Sequence, residues 1–464
     1  MPVFADFRGR LYPNCSFLSY QGNQLYAAML ELFEGEALTE EGVRYFLIYG
    51  ANVYGLDKLS FKERYDWVLE NASLILNLDM DFIRGAADVI SFVNFALNFR
   101  KWYTNPTAKI HMFINQDATC SGLQHIASLL ADQNLAQNVN VTGEAENAGD
   151  VYQDIANKVA SVPMPGVLAY LDITRSLVKR PVMTLPYGVT KLGMADQIKG
   201  RALAKITKDK EVLFIFPAKA GTPAAFLHSA GNVALTPQDI SNLVKVLWDT
   251  INTSYVAIYE LKEAVQGLAR VMTKLNAPIA WVAPSGLNIT QHYLQSTEDR
   301  IVTYQGGKRT KFVVHNYEKD TFNASKQANS LMPNFVHSFD SSLVVKLLAS
   351  TEFNVITIHD CFGCHPNHMG LLRQIIFTVF ADMYLTKNHL QEFFDHNIRH
   401  LKESGVTITK AAGSIFATDP LTGIEYELPN IPAGRVCGPS PAGPSQTSLT
   451  WLARMLAILT APNG

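Results

Sequence analysis

Apolar residues return every three or four positions at Leu25–Phe33, Gly122–Leu130, Val151–Ala160, Ile240–Leu268 and Leu371–Phe394, the period of a helix with one buried face. Shorter apolar runs at Ile110–Ile114, Ile301–Tyr304, Lys311–His315 and Val355–Ile358 read as strands, the last β-branched throughout. Two of these strands bracket Gly306-Gly307, which predicts a hairpin with a basic second arm. Helices interleaved with strands predict a mixed α/β (α+β) architecture, and no internal repeat stands out. From Pro432 onward the composition turns to Pro, Gly and Ser, reading as a linker, and a short apolar stretch follows at Leu449–Leu459.

With 464 residues, 48% apolar and 17% charged, the chain has an ordinary globular balance with room for two or three domains. A formal net charge of −2 argues mildly against a nucleic-acid partner, although a local basic stripe can sit on a neutral protein. Five cysteines, Cys15, Cys120, Cys361, Cys364 and Cys437, are too sparse for a disulfide framework and favour a reducing compartment. No run reaches the length of a membrane span, and the N-terminus lacks the apolar core of a signal peptide.

Two acids stand out by position. Asp117 follows KIHMFINQ and precedes SGLQHIASLL, placing it where a strand hands over to a helix; Asp360 closes the strand VITI, with Gly363 just beyond. Rigid backbone of that kind suits a metal ligand, although a helix cap and a plain turn residue are the ordinary readings of each. Between them lies RSLVKRPVMTLPYG, where Arg175, Lys179, Met183 and Tyr187 recur every fourth residue. As a helical stripe, its cations suit a triphosphate and its aromatic suits stacking near a base and sugar, against the ordinary reading of a solvated basic face. Pro181 and Pro186 predict a helix starting near Lys179 and bent before Tyr187.

The order acid, Arg–Lys–Tyr-Gly, His-Asp, together with DFRGRLYP at Asp6–Pro13 and PNFVHS at Pro333–Ser338, resembles the single-subunit, bacteriophage-type DNA-dependent RNA polymerases, including mitochondrial and mitochondrial-plasmid members. The resemblance covers about residues 4–432. It implies a right-hand fold: palm at 1–146 and 338–432, fingers at 147–337 with a promoter-reading hairpin near 290–316, and a divergent tail at 433–464. It implies two Mg²⁺ ions held by Asp117, the Ala118 main-chain carbonyl and Asp360. Lys179 would contact the incoming triphosphate and act in catalysis, with Arg175 and Arg180 beside it and Lys58 as a further contact. Tyr187 and His337 would sense the ribose 2′-hydroxyl, Arg8 and Arg10 would hold nucleic-acid backbone, and Tyr152 would lie nearby. His359 is expected to support the turn at Asp360.

A family A DNA polymerase shares the basic stripe and the His-Asp turn, but carries a Glu five residues after the first acid where this chain has Gly122. Met183 and Cys361 also differ from the DNA enzymes, and all three differences favour ribonucleotides. The run CFGCH, Cys361–His365, has the spacing of a haem attachment site or half a zinc site, without a second cysteine pair to support it. His125 reads as a hydrogen-bonded structural residue behind Asp117. The resemblance begins near the palm, so the thumb and N-terminal domain are expected to be missing, leaving a fragment, one half of a split enzyme, or a catalytically silent remnant that at most binds nucleic acid. The expected partners are DNA template, RNA product and ribonucleoside triphosphates, with an accessory transcription factor as a further candidate and no membrane. The expected location is the mitochondrion, or otherwise the cytoplasm of a phage host.

Overall fold

The computed structural model describes residues 2–15, 17–142, 149–206, 212–229 and 231–432. The predicted tail at 433–464, with its apolar stretch, lies outside the described residues. The architecture is mixed α/β, as the alternating patterns predict. Its organising element is a small antiparallel sheet in which the strand Cys361–Cys364 lies between Ile356–Ile358 and Ile114–Asp117. Around it pack the helices Glu40–Ala51, Ser121–Leu130, Ala324–Ala349 and Met369–Leu385. Their inward faces join one apolar cluster running from Phe46 to Leu428. Two of its helices meet closely because Gly50 carries no side chain: a Cβ there would run into the Phe95 ring.

Several predicted elements form with shifted ends. The helix Ser121–Leu130 and the helix Val151–Ser161 match their patterns, the latter capped by Asp150 accepting from the Tyr152 and Gln153 backbone N–H groups. The Ile240–Leu268 pattern is two helices, Pro237–Ser254 and Val256–Lys274, broken at Tyr255. The Leu371–Phe394 pattern likewise divides into Met369–Leu385 and His389–Glu403. Of Leu25–Phe33 only Gln24–Ala28 is helical, and Phe33 is exposed. The strand expected at Ile110–Ile114 starts instead at Ile114, while Ile110 makes an isolated bridge to Glu36.

The predicted hairpin is present and longer than expected, with arms Leu294–Gln305 and Lys308–Phe322. Gly306 and Gly307 have φ of +56° and +76°, the two left-handed positions of a turn that matches strand twist. Among the described residues, no helix is long and apolar enough to cross a membrane.

Candidate active site

Asp117 ends its strand directly opposite Cys361, so Asp360, one residue earlier, comes to the same end of the sheet. Ile358 pairs with Cys361, leaving His359-Asp360 as a two-residue turn. His359 has φ of +58°, a left-handed conformation that His tolerates better than most residues with a Cβ, and its ring meets the Tyr12 ring edge-on at 5.3 Å. The two acids, distant in sequence, are thus brought together by adjacent strands.

Their electrostatics follow from that proximity. Asp117 keeps solvent access, yet protein crowds its carboxyl; desolvation and the Asp360 charge push it up to about 6, against opposition from the Ala118 backbone N–H, Lys179 and Lys58. Such a carboxyl stabilises the ion-free fold only while protonated, so its contribution is present below 3.8 and is lost as pH rises through about 6. Asp117→Asn is therefore expected to raise the melting temperature of the chelator-treated chain at neutral pH and not near pH 4. Solvent screening should hold the gain to about 1 kcal/mol or less.

The basic stripe is a real helix, but it begins at Arg175 rather than near Lys179, because the Thr174 side chain caps it by accepting from the Leu177 N–H. Leu177, Val178, Pro181 and Val182 form its buried face, while Lys179, Arg180 and Met183 are exposed. The helix ends at Met183, and a separate short turn, Leu185–Tyr187, carries the tyrosine. Gly188 closes it at φ +75°, beside Pro333 and the Asn329 carbonyl. One helical turn beyond Pro333 stands His337, whose ring lies 4.7 Å from that of Tyr187. Burial raises the Tyr187 phenol far above its ordinary value, so it remains a donor.

The cations differ in what occupies them. Lys58 is exposed and paired with Asp57 at 2.8 Å. Arg175 donates to Asp150 at 2.5 Å and lies over the Tyr152 ring, whose hydroxyl donates to the Thr119 carbonyl at 3.2 Å. Arg175 and Tyr152 thereby brace the loop that follows Asp117. Arg8 pairs with Asp6 and donates to His337 Nδ1 at 2.9 Å. A guanidinium only donates, so His337 keeps its proton on Nε2. Burial, with Arg10 and Arg8 nearby, holds His337 down to about 3.

Arg10 is committed to Asp340 at 2.7 Å, in a pair whose side chains are 15% and 2% exposed. Asp340 escapes the sequence reading: nothing in SFDSS distinguishes it, since its partners come from remote segments. His125 Nε2 lies 3.1 Å from Asp340 Oδ1 without good hydrogen-bond geometry, and Nδ1 contacts the Tyr384 hydroxyl. This is the structural role expected for His125. Burial alone would raise the Asp340 carboxyl, but His125 and Arg10 hold it below its ordinary range. Removing one partner of a buried pair strands the other charge. Asp340→Ala is accordingly expected to cost about 3–5 kcal/mol in denaturant unfolding.

Gly122 sits in the first turn of the helix behind Asp117, where a Cβ would come within 2.8 Å of Pro186 Cβ and 3.0 Å of the Tyr187 hydroxyl. Cys361 and Cys364 stand three apart on one strand, hence on opposite faces. Burial lifts the Cys364 thiol to about 12 and the Cys361 thiol higher still. Neither geometry nor charge state suits the CFGCH motif to a thiolate metal site or haem attachment.

A family model for DNA-dependent RNA polymerase matches residues 36–418. A probable DNA-directed RNA polymerase of Gelasinospora sp. (strain G114) is 32% identical, covering 89% of this chain and 51% of the relative. DNA-directed RNA polymerase 1, mitochondrial, of Nicotiana sylvestris is 28% identical over 84% of this chain and 39% of its own length. T7 RNA polymerase of Escherichia phage T7 is 24% identical, with 87% and 50% covered. The chain thus spans about half the length of the curated relatives it matches, or less. The acid pair, the basic helix and the Tyr187–His337 stack all lie within a match that takes in most of the chain, and the chain belongs to the DNA-dependent RNA polymerase family.

Proposed function

We propose that this chain is the catalytic part of a DNA-dependent RNA polymerase that adds ribonucleotides to an RNA 3′ end by a two-metal mechanism. The observation that carries the proposal is the meeting of Asp117 and Asp360 at one sheet end, within the field of Lys58 and Lys179. The donors fit Mg²⁺: hard carboxylate oxygens whose mutual repulsion a divalent cation relieves. Asp117, the Ala118 main-chain carbonyl and Asp360 would hold two ions, which when bound activate the attacking 3′-hydroxyl and stabilise the leaving oxygen.

The chain's own groups supply positioning and charge. Exposed Lys179 and Arg180 would engage the triphosphate, with Lys58 approaching from another segment; Arg175 contributes charge while it braces Tyr152. Tyr187 and the Nε2–H of His337 are the donors offered to a ribose hydroxyl. Arg8 and Arg10 remain the positive lining past which nucleic-acid backbone would run, their hydrogen bonds already made within the chain. Because His337 titrates near 3, ribose selection is expected to stay constant as pH is raised from about 5 to 9, measured as the ribo- to deoxyribonucleotide incorporation ratio.

On this reading 1–146 and 338–432 form the palm, 147–337 the fingers, and the hairpin takes the place of a promoter-reading loop. The sharing of one sheet by Ile114–Asp117 and Cys361–Cys364 supports a palm built from two separated segments. DNA template, RNA product and ribonucleoside triphosphates are the partners proposed, with an accessory factor or separate N-terminal half as further candidates. Relatives named mitochondrial support a mitochondrial setting. The test is extension of an RNA primer annealed to DNA, with Mg²⁺ and four ribonucleotides. Template-dependent extension is expected; no extension by this chain, alone or with a relative's N-terminal half, defeats the proposal.

A further inference from the structure

At the far end of the strand that follows Asp360, a second cluster of ligand-type side chains gathers outside the acid pair. Glu36, His365 and His368 each turn one donor atom toward the others, all within 4.8 Å. His365 follows the strand Cys361–Cys364 and is only 2% exposed; His368 ends the short turn Pro366–His368. Glu36 arrives from the segment bridged to Ile110. We propose that these three residues form a structural site for one zinc ion, distinct from the magnesium-type oxygen site at Asp117 and Asp360.

The tautomer of His365 supports this. Its Nε2 lies 3.0 Å from the Ile110 carbonyl, which can only accept, so the proton is on Nε2 and the lone pair on Nδ1. A ring fixed through its far N–H by a backbone carbonyl is the usual support for a metal-binding histidine. That lone pair now receives a long 3.2 Å bond from the Asn367 N–H and lies 3.8 Å from Glu36 Oε2. His368 Nε2 stands 2.8 Å from Glu36 Oε1.

Ligands at about 2.0–2.2 Å around a tetrahedral ion stand roughly 3.3–3.5 Å apart, so small side-chain rotations would complete the site. Two imidazoles with one carboxylate select zinc over magnesium, which prefers oxygen. Glu36 and His368, with side chains 42% and 32% exposed, would leave water to complete the coordination. Such an ion would tie the segment before the helix Glu40–Ala51 to the strand whose other end follows Asp360. Asn367 already spans the same gap, accepting from the Thr39 N–H and donating to Glu36 and the Ala37 carbonyl.

The test is titration of the chelator-treated full chain with Zn²⁺ by calorimetry and with Co²⁺ by visible absorption. An Asp117→Asn, Asp360→Asn double variant serves as the background, so that the acid pair cannot contribute. One ion per chain is expected, with cobalt absorption lacking a thiolate charge-transfer band. His368→Gln and Glu36→Gln, both at partly exposed positions, should weaken binding at least ~10-fold, the loss seen even for outer partners of metal sites. Unaltered circular dichroism checks their folds. Absence of binding in the double-variant background, a thiolate band, or affinity unchanged in both ligand variants would overturn the proposal and leave a Glu36–His368 hydrogen bond.

Discussion

Primer extension by the Asp360→Asn chain is expected to fall by about 10³-fold or more, roughly 4 kcal/mol of transition-state stabilisation. Asparagine keeps the size of the side chain and removes only its charge, so the turn His359-Asp360 has no reason to rearrange. A second readout separates this loss from misfolding. Because the Asp360 charge is one cause of the raised Asp117 pKa, that value should drop from about 6 toward its ordinary 3.8 in the variant. A carboxyl-carbon NMR titration would follow it. Full extension by Asp360→Asn would remove the acid pair from the chemistry, and an unmoved Asp117 would mean that the two groups do not sense each other.

The second large effect is expected at Gly122. Its missing Cβ leaves clearance between the helix Ser121–Leu130 and the turn bearing Pro186 and Tyr187. A proline ring cannot swing aside as a flexible chain would, and Tyr187 is backed by the His337 ring. Gly122→Glu should reduce kcat/KM for ribonucleotides on the order of 10²-fold, about 2.7 kcal/mol, and deoxyribonucleotide use by less. Gly122→Ala should show a smaller shift in the same direction, since alanine improves intrinsic helix propensity by up to about 1 kcal/mol and its penalty is steric alone. An unchanged ribo/deoxy ratio in Gly122→Glu would sever this position from sugar selection.

Local chemistry made much of this legible. The helix Ser121–Leu130 and the Gly306-Gly307 hairpin form because periodicity and turn residues agree at both places. The strand before Asp117 was displaced because Ile110–Ile114 is apolar throughout, and burial alone does not fix where pairing begins. The break at Tyr255 has no Gly or Pro to mark it, since apolar spacing continues across the junction of two packed helices. At the basic helix, the available signal was Thr174, a good cap directly before Arg175. Asp340 was out of reach for another reason: a buried carboxylate is justified only by its partners, and Arg10 and His125 come from distant segments. The spacing of His365 and His368 was visible, whereas Glu36 joins them only through tertiary folding.

The antiparallel register that sets Asp117 against Cys361 also governs when the two acids can meet. On a translating ribosome Asp117 emerges well before Asp360, which reaches solvent only after the intervening helices and the long hairpin have been made. Closing so large a loop is a slow, late event. A nascent chain stalled before the strand Cys361–Cys364 therefore lacks the sheet end at which Asp117 and Asp360 meet, however well its earlier helices have packed.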